Sequence, residues 1–196
     1  HASPSQANRF DLVVVGGGMA GTCTAISAAR LGLQVALVQN RPVLGGNNSS
    51  EIRVHLNGEI NLAPYPRLGD VVGELDSGKR GNAQPASHYD DDRKLRVVRA
   101  EPNIHLFLNT HADRVEMQGD RVVAIVAREL TTSRELRFTA PLFADCTGDG
   151  TIGYLAGADW RMGRESKAET GESMAPETPD KMTMGASVQW YSAETN

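Results

Sequence analysis

Gly16, Gly18 and Gly21 stand in the spacing G-x-G-x-x-G, directly after the apolar run Phe10 to Val15 (FDLVVV) and directly before the Ala-rich stretch Met19 to Leu31. No other feature limits the fold as much. A continuous β-branched run suits a strand covered on both faces of a parallel sheet. The stretch after the glycines suits a helix that offers Ala25, Ala28 and Ala29 for close packing, with Gly32 at its C-terminal cap. Gln34 to Val38 (QVALV) then predicts a second buried strand, completing a βαβ unit. Within that unit the first glycine allows a tight turn, the second removes a side chain that would block a pyrophosphate, and the third lets helix and strand approach. Backbone N–H groups and the positive end of the helix dipole then face an anion. The candidate contacts are Val15, Gly16, Gly18, Met19, Ala20 and Gly21.

A dinucleotide site normally closes its second strand with Asp or Glu, which accepts hydrogen bonds from ribose hydroxyls. Here that place holds Gln39, followed by Asn40 and Arg41. An amide can still pair with ribose, but it lacks the charge that repels a 2′-phosphate, so NADP stays open as an alternative ligand.

Further along, the segments from Asn40 to Gly58 and from Asn61 to His88 are rich in Gly, Asn, Ser and Pro and read as loops, with a short helix at Asp70 to Leu75. Asp90 to Asp92 open a helix that passes Val98 and ends at Pro102, and Ile104 to Leu108 alternates into a strand. Asp113 to Met117, Arg121 to Arg128 and Glu135 to Thr139 predict an antiparallel meander, the first pair joined by Gly119 and Asp120. Leu142 to Cys146 returns as a buried strand, and a helix through Tyr154 follows. Met182 to Trp190 has strand character. Trp160 and Trp190 are expected to pack rather than to stack on a ligand.

A net charge of -4 supplies no field for nucleic acid, and no apolar run approaches a membrane span. The first residue is His1, which fits a processed or engineered start and leaves the compartment open. Cys23 and Cys146 lack metal-ligand spacing and read as small buried thiols, so no metal site is expected.

Two later stretches carry a resemblance. Arg41 to Ser50 (RPVLGGNNSS) sets a double glycine shortly after the second strand, and Phe143 to Gly150 (FADCTGDG) is followed by Ala156-Gly157-Ala158. Both are similar to FAD-dependent oxidoreductases of the glutathione-reductase-like type. The run Gly45 to His55 (GGNNSSEIRVH) resembles a bacterial subfamily of these proteins, often found among exported or carbohydrate-associated proteins. The resemblance covers roughly residues 10 to 160. It implies FAD rather than a nicotinamide dinucleotide, with the cofactor also held by Gly45, Gly46, Asn47, Asn48, Ser49, Ser50, Thr147, Gly148 and Asp149, and with the backbone of Ala112 beside the adenine. Proteins of this type usually continue into a substrate domain, so a longer polypeptide or a second chain is expected to complete the site.

Protein groups near a flavin stabilise negative charge and move substrate protons. Arg53 and His55 are the candidates. Read as a strand, Glu51, Arg53 and His55 share one face; read as a helix from Asn48, with Glu51 closing a capping box, only one of the pair faces the ring.

The expected fold is therefore α/β: a doubly wound, Rossmann-like FAD-binding domain at 10–160, with a parallel sheet and an inserted meander near 112–139, and 161–196 as the start of a substrate region. The expected activity is hydride transfer between a small organic substrate, of carbohydrate type, and non-covalently bound FAD. An NADP-dependent oxidoreductase and a non-catalytic dinucleotide-binding module remain as alternatives.

Overall fold

Two strands, not one, lead into the glycine turn. The computed structural model describes residues 7–58 and 61–186 together with 188, 190, 192 and 194. In it, Ala7–Arg9 form strand β1, the chain bends at Asp11, and Leu12–Val15 form strand β2. β2 is buried along its whole length and feeds helix α1 (Met19–Arg30), after which strand β3 (Val35–Val38) is buried in the same way. Helix α2 (Asp70–Leu75) and helix α3 (Asp91–Ala100) precede strand β4 (Ile104–Phe107). The antiparallel strands β5 (Thr110–Gln118), β6 (Arg121–Glu129) and β7 (Glu135–Thr139) follow, then strand β8 (Leu142–Asp145) and the short helices α4 (Thr151–Leu155) and α5 (Lys167–Thr170).

The strands make two sheets. One is parallel in the order β4-β3-β2-β8, and the other runs β1-β7-β6-β5, antiparallel except where β1 lies parallel to β7. Because successive side chains of a strand point to opposite faces, β2 and β3 each contribute to two cores. Val14, Val35 and Leu37 pack with Ala25, Ile26 and Ala29 of α1, Leu75 of α2 and Val98 of α3. On the other face Val13, Val15, Ala36 and Val38 meet Ile125, Ala127 and Phe138 of the meander, with Phe10 and Phe107 between the sheets. Each fully buried Ile, Leu or Phe contributes about 1.5–3 kcal/mol. The layers are thus helices, parallel sheet and meander, so the second face of the parallel sheet is covered by strands.

The sheet order also fixes where a ligand can lie. From β2 the chain moves outward through β3 to β4, then returns to place β8 on the opposite side of β2. In open parallel sheets that reversal leaves a crevice at the carboxyl ends of the flanking strands, and the glycine turn sits in it.

Most expected elements fall within a residue or two of their predicted bounds. Asp90 caps α3 with its carboxylate, accepting the Arg93 N–H at 3.2 Å. Four expectations need correcting. β8 is a strand but not a buried one, since Leu142 and Asp145 at its two ends are exposed. Among the described residues from 182 to 190 none is in a strand; residues 187 and 189 lie outside the described set. The segment after the double glycine is neither strand nor helix. Trp160 is 61% exposed and touches Tyr154 edge to face, with ring centroids 6.0 Å apart, and Trp190 is 73% exposed, so neither packs in a core.

Candidate functional site

Three stretches of backbone meet at the carboxyl ends of β2, β3 and β8. Gly16 has φ +102°, and a Cβ built there would lie 2.3 Å from the Cys146 carbonyl oxygen, so the turn and the residue after β8 are in contact without room for a side chain. Gly21 serves the expected close packing, since its Cβ would lie closer still to the Gly16 oxygen. The double-glycine loop arrives from the other side: Gly45 N–H donates to Gly17 O at 2.8 Å, and a Cβ on Gly46 would stand 3.1 Å from Gly18 Cα.

Around this junction lies a cleft of about 800 Å³. Val15, Gly16, Gly18, Met19 and Ala20 line it from the turn; Gln39, Asn40 and Arg41 from the end of β3; Gly45, Gly46, Asn47 and Asn48 from the second loop. Ala112 lines it from β5, and Thr147, Gly148 and Asp149 from beyond β8. Sequence reasoning missed Thr110, Ile52, Val54 and Leu56, which line the same cleft. Periodicity gave no sign of these: Ile52, Val54 and Leu56 reach the cleft through the folding of their loop, and Thr110 from the first position of β5. Gly21, Ser49 and Ser50 do not line it. Ser49 is buried and its hydroxyl donates to Gly46 O at 2.7 Å, while Ser50 N–H donates to the Asp91 carboxylate at 3.1 Å. Both hold the loop from behind.

Several features of the cleft suit a long phosphorylated guest. Gly18, the N-cap of α1, makes no side-chain cap, and the first turn of the helix holds no acidic residue. The helix end is therefore free to receive an anion. Asn48 is 5% exposed, and its Oδ1 has no hydrogen-bond partner although its Nδ2 donates to Val54 O at 3.1 Å. A buried acceptor left unpaired costs about 1–3 kcal/mol, so a donor on the guest is called for.

Gln39 is used differently from the expectation. Its Oε1 accepts the Gly17 N–H at 2.8 Å and its Nε2 donates to Val43 O at 3.0 Å, so the buried amide bridges the turn and the incoming loop. Arg41 is paired with Glu51 at 3.1 Å, which cancels the cation that a 2′-phosphate would seek.

The polar alternation at Glu51, Arg53 and His55 does not make a common face. Arg53 adopts φ +65°, which breaks any strand or helix there. Glu51 turns to Arg41, Arg53 Nε folds back onto Ser50 O at 2.9 Å, and His55 reaches Asn82. His55 lines the cleft; Arg53 does not. The two candidates are thus separated.

Beyond β8, Asp145 shapes the third stretch. Its carboxylate accepts from Thr147 N–H at 3.0 Å, the Thr147 hydroxyl at 2.6 Å and Gly153 N–H at 2.8 Å. Burial pushes this carboxyl up, but the hydrogen bonds from Thr147 and Gly153 outweigh it and hold it below its ordinary value. Cys146 lines the cleft and Cys23 sits in α1; both are free thiols, half-buried rather than buried as expected, and that burial still raises each above the usual value.

The family described as FAD dependent oxidoreductase matches residues 11–195, and the chain belongs to that family. Among solved structures, Thermovibrio ammonificans THI4 is 21% identical at a TM-score of 0.54, covering 87% of this chain and 76% of that one. The myxobacterial FAD-dependent chondrochloren halogenase CndH is 19% identical at a TM-score of 0.50, over 72% of this chain. A geranylgeranyl bacteriochlorophyll reductase-like protein from Thermoplasma acidophilum is 20% identical, also at 0.50, over 79% of this chain. These likenesses are of fold. The chain spans 38% of the halogenase and 43% of the reductase-like protein.

Proposed function

We propose that this member of the FAD-dependent oxidoreductase family holds FAD without a covalent bond in the glutathione-reductase-like manner, and that the protein carrying it transfers hydride between an organic substrate and that cofactor. The observation that bears the most weight is the meeting of three backbone stretches, two of them bare glycine turns at Gly16–Gly18 and Gly45–Gly46 and the third at Cys146–Gly148, around one cleft.

Each part of the cofactor has a place in this reading. The N–H groups from Gly18 to Ala20, at the start of α1, would hold the pyrophosphate. Asn40, Arg41 and Ala112 would hold the adenosine, with backbone groups serving the ribose because the Gln39 amide is committed to Gly17 and Val43. Asn47 and Asn48 would face the ribityl chain or the ring, which would supply Asn48 Oδ1 with its missing donor. Bound FAD supplies the two-electron acceptor. The chain's own part is to orient it, to keep water from it with Met19, Ile52, Val54 and Leu56, and to take a proton at His55.

By the likeness of Gly45 to His55 to its subfamily, the substrate is carbohydrate-related. A further segment, from the same polypeptide or another, closes the substrate side, in keeping with the 38% of the halogenase that this chain spans.

Purified protein should be yellow, absorb near ~450 nm and release FAD on denaturation. Protein that stays colourless, and whose melting temperature rises with NADP but not with FAD, would overturn the reading.

A further inference from the structure

One acceptor atom serves both the backbone and the ring of His55. Asn82 Oδ1 accepts the His55 backbone N–H at 3.0 Å and lies 2.6 Å from His55 Nδ1. A backbone N–H can only donate, so the Asn82 atom it meets is the amide oxygen and not the amide nitrogen. That assignment decides the second contact. An amide oxygen carries no hydrogen, so Nδ1 must be the protonated ring nitrogen, and in a neutral imidazole Nε2 is then the bare acceptor.

The surroundings leave that bare nitrogen free. No described residue bonds His55 Nε2, and His55 lines the cleft whereas Asn82 does not, so the ring is tethered from outside the site. Both ends of the tether are themselves fixed. Arg53 O accepts from Ala83 N–H at 2.9 Å and from the hydroxyl of buried Tyr89 at 2.6 Å, and Gln84 N–H donates to that hydroxyl at 3.1 Å. Val54 N–H donates to Asn47 O at 2.9 Å, and Asn48 Nδ2 donates to Val54 O. The residues on either side of the His55–Asn82 contact therefore have little freedom to drift.

We infer that Asn82 is a positioning residue that locks His55 in the Nδ1–H tautomer and so presents Nε2 as a proton acceptor at the cofactor cleft. This rests on the reading of His55 as the group that takes a substrate proton. In that step the substrate's X–H bond breaks, the electron pair stays on X, and the proton forms the Nε2–H bond. The resulting imidazolium keeps its Nδ1–H on Asn82 Oδ1, so the ring need not reorganise as it charges.

The test is nitrogen-15 NMR of histidine-labelled protein as purified, with the His55 signals assigned by their loss in His55→Gln. The expected wild-type spectrum has Nδ1 protonated and Nε2 bare. Asn82→Ala should shift His55 toward the Nε2–H form and slow flavin reduction by roughly one to two orders of magnitude, a share of what general base catalysis contributes. Asn82→Asp, which keeps an acceptor oxygen, should restore the Nδ1–H form. An Nε2–H signature in the wild type, or an unchanged tautomer in Asn82→Ala, overturns the lock. A confirmed lock combined with flavin reduction indifferent to His55→Gln supports the role of Asn82 and overturns instead the reading of His55 as the base.

Discussion

Gly17 and Gln39 are joined by a hydrogen bond of 2.8 Å from the glycine N–H to the carboxamide oxygen, across the mouth between β2 and β3. Its counterpart, Gln39 Nε2 to Val43 O at 3.0 Å, means that one buried side chain sets the spacing between the turn and the double-glycine loop. Gln39→Leu would strand a buried donor and a buried acceptor, costing about 1–3 kcal/mol for each. Gln39→Glu keeps the contact to Gly17 but turns a lone pair toward Val43 O. It should melt lower than wild type at neutral pH and recover on mild acidification, when its carboxyl regains a proton to donate. Thermal melts at two pH values check this, and an unshifted Gln39→Glu melt at neutral pH would refute the bridging role.

Two glycines of the same motif should respond in opposite ways. Gly18 has φ -65°, a value open to any residue, and the nearest atom to its virtual Cβ is Gly46 Cα at 3.9 Å. Gly18→Ala should therefore leave the unliganded melt within about 0.5 kcal/mol of wild type while removing FAD from the purified protein. Gly16→Ala combines φ +102° with a Cβ at 2.3 Å from Cys146 O, so it should break the junction of β2 and β8 and lower stability with or without FAD. Circular dichroism and released-flavin content separate the two outcomes.

The contrast between Gln39 and the glycines shows how much the sequence discloses. A bare backbone announces itself, because few residue types fit a close approach, and the βαβ unit, the meander with its Gly119-Asp120 turn and the Asp90 cap were all legible for that kind of reason. β1 was not legible: three residues, Ala7 to Arg9, join β7 through main-chain pairing, which leaves no side-chain pattern. The stretch from Gly46 to His55 misled in both directions. Its alternation suggested a strand and its Ser, Asn and Glu content a capped helix. What decides its path is a set of bonds closing the loop on itself, Ser49 to Gly46 and Asn48 to Val54, together with Asn82 and Tyr89 reaching in from far along the chain. Glu51, Arg53 and His55 consequently diverge.

Lys94 supports the double-glycine loop from below. It is fully buried, its stem lies where a Cβ on Gly45 would come within 2.8 Å of Cε, and its ammonium donates to Tyr89 O. Burial lowers its pKa from the ordinary lysine value, offset in part by Asp91 and Asp90. Lys94→Ala should leave a cavity under Gly45 and cost about 2–5 kcal/mol. Urea denaturation measures it, and a loss below 0.5 kcal/mol, taken as the ordinary size of an unimportant surface change, would show that the stem is not a support.

Asp145 makes the site's stability fall on the acid side. Its folded carboxyl lies below the ordinary value because bonds from Thr147 and Gly153 outweigh the upward push of burial. The unfolded chain, with an ordinary carboxyl near ~4, therefore takes up the proton first as the pH falls. The stabilisation is complete above that value and is lost as the pH drops through the lower, folded one. Since the group is substantially exposed, its worth is held to about 1 kcal/mol, below what a buried charged hydrogen bond supplies. Asp145→Asn keeps one acceptor and loses the charge. It should be less stable than wild type at pH 7, hold FAD more weakly because Thr147 and Gly148 are less well fixed, and converge on the wild type under acid conditions. Parallel melts from neutral pH downward test the point: two curves that stay the same distance apart throughout would show that the Asp145 charge contributes nothing to the fold.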